Sequence, residues 1–355
     1  MIVALDAAPL TLSSGGLLRY TSELSRALAE NFPEDEYWLV SNQAFPMPPS
    51  TSANLRKGGG PRHWLERRWW LWGLNRELRR RRTELFHGTN FAVPYVPRRP
   101  SVLTLHDLSP WMDPGWHHGA GRVRRRTPLL LRLGLATMVL TDSEAVRRQA
   151  IERFGLEPSR VAAVPLAAAS HFRPIEVRAA TPYFLYVGTL EPRKNIPLLI
   201  EAWREVRRQY PVELVLAGRR RADFPPLAVE AGLKLKGEVP DEELPTLYSG
   251  AVACLYPSLY EGFGLPVLEA MQCGAAVVAS RDPAITEVAA GAAVQLDARE
   301  IRAWVETMTA ALTRPEWLAE WRRKALTRAR DFSWARTARL TRDVYDEARR
   351  LAAHA

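Results

Sequence analysis

The stretch Tyr256-Pro257-Ser258-Leu259-Tyr260-Glu261-Gly262-Phe263-Gly264-Leu265-Pro266-Val267-Leu268-Glu269 decides the reading of this chain. It leaves an apolar run, Val252 to Tyr256, that reads as a buried strand, and it opens a helix over Pro266 to Gln272. Pro266 suits the first helical position, where its missing N–H would lack a partner anyway. Gly274 suits the left-handed position just past the last turn. Gly262 and Gly264 let the backbone turn tightly without side chains in the way. Exposed N–H groups and the positive end of a helix then coincide, which makes a seat for a diphosphate.

Glu261 precedes that helix, and Glu269 is expected in its first turn. Like charges keep both off a phosphate, but a carboxylate is a strong acceptor for the paired hydroxyls of a sugar. The two can bracket a nucleotide sugar, one at the transferred sugar and one at the ribose. Taken alone, Glu269 reads first as a charge complementing the helix dipole, and it is the joint pattern of strand, Tyr-Pro-Ser, Glu, Gly-Phe-Gly, Pro and Glu that turns the reading to a ligand.

A second element, Gly188-Thr189-Leu190-Glu191-Pro192-Arg193-Lys194-Asn195, lies between a strand over Tyr183 to Val187 and a helix over Pro197 to Arg208. Doubly wound sheets bind ligands at the carboxyl ends of their strands. Arg193 and Lys194 are therefore expected in the crevice of the Gly262–Leu265 turn, where two cations stabilise charge growing on a departing diphosphate. An isolated Arg-Lys pair would instead read as a solvated turn. No Asp-x-Asp pair of the kind that holds a metal on a diphosphate occurs, so neither metal nor cofactor is expected.

The strand-turn-helix rhythm runs along the whole chain. Ile2 to Leu5 reads as a strand, Ser13 to Gly16 as a turn and Leu17 to Glu30 as a helix. Further strands are read at Tyr37 to Val40, Leu85 to His87, Val102 to Leu105, Met138 to Leu140, Glu213 to Ala217 and Ala275 to Ala279. A helix is read at Glu144 to Phe154. Strands alternating with helices imply α/β structure with parallel, doubly wound sheets, and 355 residues exceed one hydrophobic core. Pro165, Pro174 and Pro182 mark a linker, residues 41–61 read as a flexible loop, and Ser333 reads as the N-cap of a last helix.

These residues together resemble the glycosyl transferases of group 1, retaining enzymes of GT-B architecture. Thr104-Leu105-His106-Asp107, Leu140-Thr141-Asp142-Ser143 and Phe332-Ser333-Trp334 add to the likeness. The resemblance implies two Rossmann-like domains facing a cleft. An acceptor-binding domain over residues 1–175 is completed by a C-terminal helix over 335–355 that crosses back to it, and a nucleotide-sugar domain spans 176–334. It implies that Arg193 and Lys194 bind the donor diphosphate, that Glu261 contacts the transferred sugar and Glu269 the ribose, and that Gly262, Phe263, Gly264 and Leu265 form the backbone cradle beside Gly188. His106 matches a histidine at the sugar near the reacting carbon, although a histidine at a strand end also serves as a hydrogen-bonded structural residue. Gly16 matches a glycine loop closing over the phosphates. Ala217-Gly218-Arg219-Arg220-Arg221 lacks a second glycine that many relatives carry. Asp282 to Glu287 runs into Val288-Ala289-Ala290-Gly291 where Gly-Asp-Ala is more usual, so the base contacts depart from the pattern.

Charge adds a separate observation. The chain carries a formal +10, and residues 1–175 hold 24 Lys+Arg against 15 Asp+Glu. An anionic partner for the first domain follows. Residues 62–82 contain eight arginines and two glutamates around Trp64, Trp69, Trp70 and Trp72. Trp64, Arg67, Arg68, Trp69 and Trp72, with Arg124 and Arg125 from a second cluster that includes Arg122 and Arg126, suit a peripheral site on an anionic membrane surface near a lipid-linked acceptor. A core helix with Leu65, Trp69 and Trp72 inward and a solvated basic face is the alternative. No nucleic-acid reading module is present, so nucleic acid is not expected as a partner.

Two cysteines, Cys254 and Cys273, exclude a disulfide framework and read as buried free thiols of a cytoplasmic protein, placed at most on the inner membrane face. No signal segment or membrane-spanning run is read. Ser14-Gly15-Gly16 does not supply the Gly-x-Gly-x-x-Gly turn of a nicotinamide enzyme. The expected activity is metal-independent, retaining transfer of mannose from GDP-mannose to a glycan or lipid-linked acceptor in cell-surface polysaccharide synthesis. A non-catalytic basic binding protein on the same scaffold is the competing class.

Overall fold

The computed structural model describes residues 1–117, 119–177, 179–228 and 230–354. It divides into two compact units, Met1–Leu166 with Ser333–Ala355, and Ala167–Phe332.

In the first unit the strands are β1 (Ile2–Asp6), β2 (Glu36–Val40), β3 (Leu55–Lys57), β4 (Leu85–Gly88), β5 (Ser101–Leu105), β6 (Met138–Thr141) and β7 (Val161–Ala163). They pair in parallel in the order β3-β2-β1-β4-β5-β6-β7. In the second, β8 (Tyr183–Val187), β9 (Glu213–Ala217), β10 (Leu233–Gly237), β11 (Ala253–Tyr256), β12 (Val277–Ser280) and β13 (Val294–Leu296) pair in parallel as β10-β9-β8-β11-β12-β13. Both orders reverse after the first strand of the unit, as in a doubly wound nucleotide fold. The central strands β5, β6, β8, β11 and β12 are buried along their whole length, as a sheet covered on both faces requires.

The strands absent from the sequence reading are β3, β7, β10 and β13, all at or next to sheet edges. Arg56 and Lys57 in β3 and Lys234 and Lys236 in β10 face solvent, so those two segments lack a continuous apolar run, and β7 and β13 are only three residues long. Residues 41–61, expected as a flexible loop, thus contain the edge strand Leu55–Lys57.

The last helix, Trp334–Ala353, belongs to the first unit and packs on the helix Gly16–Asn31. Ser333 caps it, its Oγ accepting from the Arg336 N–H at 3.2 Å. No helix among the described residues is long and apolar enough to cross a membrane.

Candidate active site

The second unit reverses its strand order between β8 and β11, so the turns leaving these two strands lie side by side. After β8 the chain passes Gly188, a short turn over Pro192–Lys194 and Asn195 in the left-handed region (φ 54°). The Gly188 N–H donates to the Ala217 carbonyl at 2.9 Å, and Gly218 runs so close that a Cβ on it would lie 2.0 Å from the Gly188 oxygen. After β11 the chain reaches Glu261, then Gly264 (φ 97°), which opens the helix Leu265–Gln272 with Pro266 in its first turn. The Leu259 N–H donates to the Arg193 carbonyl at 2.8 Å and ties the two turns together.

Arg193 and Lys194 converge on Glu261. The Arg193 guanidinium donates to the Tyr260 carbonyl at 2.9 Å and to Glu261 Oε2 at 3.1 Å. Lys194 Nζ donates to Glu261 Oε1 at 2.5 Å, and Ser258 Oγ donates to the same oxygen at 2.7 Å. Glu191 stands behind, 2.7 Å from Arg193 Nε and 2.7 Å from Arg221 Nη1. Asp282 accepts from the Glu261 N–H at 3.1 Å and caps the helix Pro283–Ala289.

Burial works to raise the Glu261 carboxyl, but the charges of Lys194 and Arg193 and the hydrogen bonds of Lys194 and Ser258 outweigh it and bring the pKa down to about 2. Burial, and then the charge of Glu261, push Asp282 up to about 6. Burial and neighbouring Arg193 pull Lys194 down, against the pull of Glu261 and Glu191. The side chains of Lys194 and Glu261 each retain 11% exposure, so this knot of charge opens to solvent. An anion arriving here meets two cations already positioned by a carboxylate.

Glu269 differs from expectation. The helix begins at Leu265, which puts Glu269 in the second turn rather than the first. Its carboxylate is fully buried and accepts from the Tyr248 hydroxyl at 2.9 Å. Phe263 and Leu265 are also buried, Phe263 packing edge-on against Phe332, so they offer backbone rather than side chains.

In the first unit, Gly15 (φ 105°) precedes Gly16, the first residue of its helix, and a Cβ at either would meet open space. His106 follows β5. Its Nδ1 lies 2.7 Å from Asp142 Oδ2 and its Nε2 lies 2.8 Å from the Thr89 carbonyl. A carbonyl only accepts, so Nε2 carries a proton, and the carboxylate at Nδ1 favours a second one. Burial opposes that charge, but Asp142 outweighs it and the His106 pKa is raised. Burial also raises the Asp142 carboxyl; the ionised pair is the state that the Thr89 carbonyl favours.

Sequence reasoning assigned no role to Glu191, Ser258, Asp282 or Asp142. The register of the sheet brings Asp142 to the site: Leu105 pairs with Thr141, so the next residues, His106 and Asp142, emerge side by side.

The basic, tryptophan-rich stretch is not one helix but a 3-10 turn (Trp64–Arg67), a π turn (Trp69–Gly73) and a short α-helix (Leu74–Arg80). Trp69, expected at the surface, is buried in a core cluster with Ala4, Val40, Leu74, Leu78 and Phe86. Trp72, in the same turn, is 49% exposed, and Trp64 is 68% exposed. Arg67, Arg68 and Arg125 are exposed, whereas Arg124 is half-buried and donates to the Pro110 and Pro114 carbonyls.

Comparison with known proteins agrees with this architecture. Residues 169–328 match the family model described as glycosyl transferases group 1, and residues 14–168 match that of glycosyltransferase family 4. The O-antigen chain mannosyltransferase B of Escherichia coli is 35% identical over 76% of this chain and 75% of its own length. Among solved structures, sucrose-phosphate synthase from Thermosynechococcus elongatus superposes with a TM-score of 0.77 at 19% identity, covering 100% of both chains. HepE of Anabaena, in complex with UDP and glucose, superposes with a TM-score of 0.74 at 17% identity over 97% of this chain and 99% of that one.

Proposed function

The chain belongs to the glycosyl transferases of group 1, and from that premise we propose that it moves mannose from GDP-mannose to a glycan or lipid-linked acceptor, with retention of configuration and without a metal, in the synthesis of a cell-surface polysaccharide. The observation that carries this reading is the grip of Arg193, Lys194 and Ser258 on Glu261 beside the start of the helix Leu265–Gln272. A donor pyrophosphate draws the two cations to itself, adds the positive helix end, and releases Glu261 to accept from hydroxyls of the sugar. The bond from the anomeric carbon to the phosphate oxygen breaks while a bond to the acceptor oxygen forms on the same face. The acceptor's proton passes to the departing diphosphate, whose charge Arg193 and Lys194 stabilise.

The choice of mannose is supported by the name of the Escherichia coli relative, and the choice of a nucleotide donor by the UDP bound to HepE. The first unit supplies acceptor binding in this reading. The rival, a non-catalytic basic binding protein, gives no reason for two cations, a serine and a carboxylate to gather at the strand-order reversal.

A thermal-unfolding panel of nucleoside diphosphates and their sugars, followed by transfer assays with the best donor and anomeric analysis of the product, tests the proposal. GDP-mannose at 100 times its dissociation constant is expected to stabilise the protein by roughly 2.7 kcal/mol. A larger response to a UDP-sugar reassigns the donor. Inverted product or inhibition by chelators overturns the mechanism, and absence of any nucleotide response overturns the function.

A further inference from the structure

Charged side chains of alternating sign run without a break across the turns that leave β9, β8 and β11: Asp223, Arg221, Glu191, Arg193, Glu261 and Lys194. Arg221 Nε donates to Asp223 Oδ1 at 2.5 Å, and Arg221 Nη1 donates to Glu191 Oε2 at 2.7 Å. Glu191 Oε1 lies 2.7 Å from Arg193 Nε, and Glu261 takes Arg193 Nη1 on one oxygen and Lys194 Nζ on the other. The proposed reaction uses the Glu261 end of this row. It leaves the Arg221 end, part of the run Arg219-Arg220-Arg221, without a purpose.

Backbone pairing sets Arg221 in its place. β9 lies beside β8 in the sheet, and the pairing continues past the strand ends. The Leu190 N–H donates to the Arg219 carbonyl at 3.0 Å, and the Arg221 N–H donates to the Leu190 carbonyl at 3.1 Å. Arg221 therefore emerges next to Glu191, the residue that follows Leu190. Arg219 and Arg220 are exposed, and Arg220 donates to the Phe224 carbonyl at 2.6 Å. Arg221 is half-buried and Glu191 is buried.

The division of the two Glu191 oxygens has a chemical consequence. A carboxylate beside a single guanidinium tends to take it as a fork, with both oxygens on two nitrogens. Such a fork on Arg193 would compete with a phosphate for the same N–H groups. Here Glu191 Oε2 is occupied by Arg221, and Oε1 meets Arg193 from the Nε side. Glu191 thus steadies Arg193 without enclosing it, and the Nη1 edge stays turned toward Glu261 and the start of the helix Leu265–Gln272. Asp223 holds Arg221 in turn by its Nε, which keeps it on Glu191.

We propose that Arg221 is a positioning residue for the donor: by occupying one oxygen of Glu191 it stops Glu191 from closing on Arg193 with both, and so keeps that guanidinium available to a nucleoside diphosphate. Arg221 acts through Glu191 and not by touching the donor. The inference rests on the reading of Arg193 as a ligand of the donor diphosphate, and it is independent of which sugar is transferred.

The test is isothermal titration of the full chain with GDP and with UDP, together with unfolding temperatures of each variant without ligand. Arg221→Gln is expected to weaken the diphosphate that the unmodified chain binds by at least about fivefold. Arg221→Lys keeps a cation on Glu191 and is expected to recover most of that loss. Glu191→Gln supplies the decisive control, since its amide oxygen still faces Arg193 but carries no charge to close on it. In that background Arg221→Gln is expected to change the affinity by less than about twofold, a coupling that a purely structural role for Arg221 would not produce. If the unmodified chain binds neither GDP nor UDP, the reading of the site as a diphosphate site fails, and the inference falls with it. If one of them binds and folded Arg221→Gln binds it equally well, the inference alone is overturned. A loss that persists undiminished in the Glu191→Gln background overturns it too.

Discussion

Lys194 keeps its charge in a place where burial and a neighbouring guanidinium both disfavour it, and Glu261 is what makes the charge tolerable. Buried pairs of this kind contribute little net stability, because desolvation consumes most of the Coulomb gain, and their persistence points to a use beyond folding. In the proposed reaction that use is the charge on the leaving diphosphate. Lys194→Ala is therefore expected to lower kcat at least about tenfold, about 1.4 kcal/mol of barrier, in a transfer assay on folded protein. Turnover near that of the unmodified chain would remove Lys194 from the mechanism. The convergence of Arg193 and Lys194 on the loop before the helix was legible from their position after a strand. That Glu261 itself would hold them was not, because a hydrogen bond between residues 67 positions apart leaves no local trace in the sequence. His106 differs in kind. Both ring nitrogens are engaged within the first unit, so neither is free to take a proton from a substrate.

At the scale of elements, the turns after β8 and β9 are packed backbone to backbone, and only glycine permits it. Gly218 has φ 144° and no room for a Cβ against Gly188. Gly218→Ala is expected to destabilise by about 1–3 kcal/mol, as overpacking does, and to weaken nucleotide binding by displacing the Gly188–Asn195 turn. Chemical denaturation and nucleotide titration read the two effects; a variant unchanged in both would show that the turn yields freely. The buried central strands were read from their apolar runs, and Ser333 serves as a helix cap at the expected position, as Ser143 does for the helix Glu144–Phe154. The edge strands β3 and β10 were not readable, since a strand paired on one side and half in solvent needs no apolar run. The tryptophan-rich stretch failed for another reason. Its composition suits a helix, but Trp69–Gly73 takes a π turn, Gly73 lies where a Cβ would come 2.1 Å from the Glu66 carbonyl oxygen, and Trp69 rather than Trp72 is buried.

At the scale of the whole molecule, the last 23 residues of the chain complete the first unit rather than the second. Tyr345 lies 2.7 Å from His87 Nδ1 in the middle of the sheet, and Arg342 reaches Asp35 at 2.5 Å. Trp334, Val344, Tyr345 and Ala348 are buried. A chain ending at Phe332 is expected to lose cooperative unfolding of the first unit while the second keeps its nucleotide-dependent shift. Calorimetry with and without GDP would read both, and an intact first transition would refute the dependence. By itself the sequence determined the α/β class, the two parallel sheets, and the turns that carry Arg193, Lys194 and Glu261, because buried strands, glycine turns and helix starts are local properties of a chain. Tertiary structure alone decided that Glu269 is buried against Tyr248, that His106 is held by Asp142 and Thr89, and that Trp72 rather than Trp69 faces solvent. Each of those outcomes depends on which distant backbone or side chain fills the space beside the residue, and that is settled only when the sheets and helices pack.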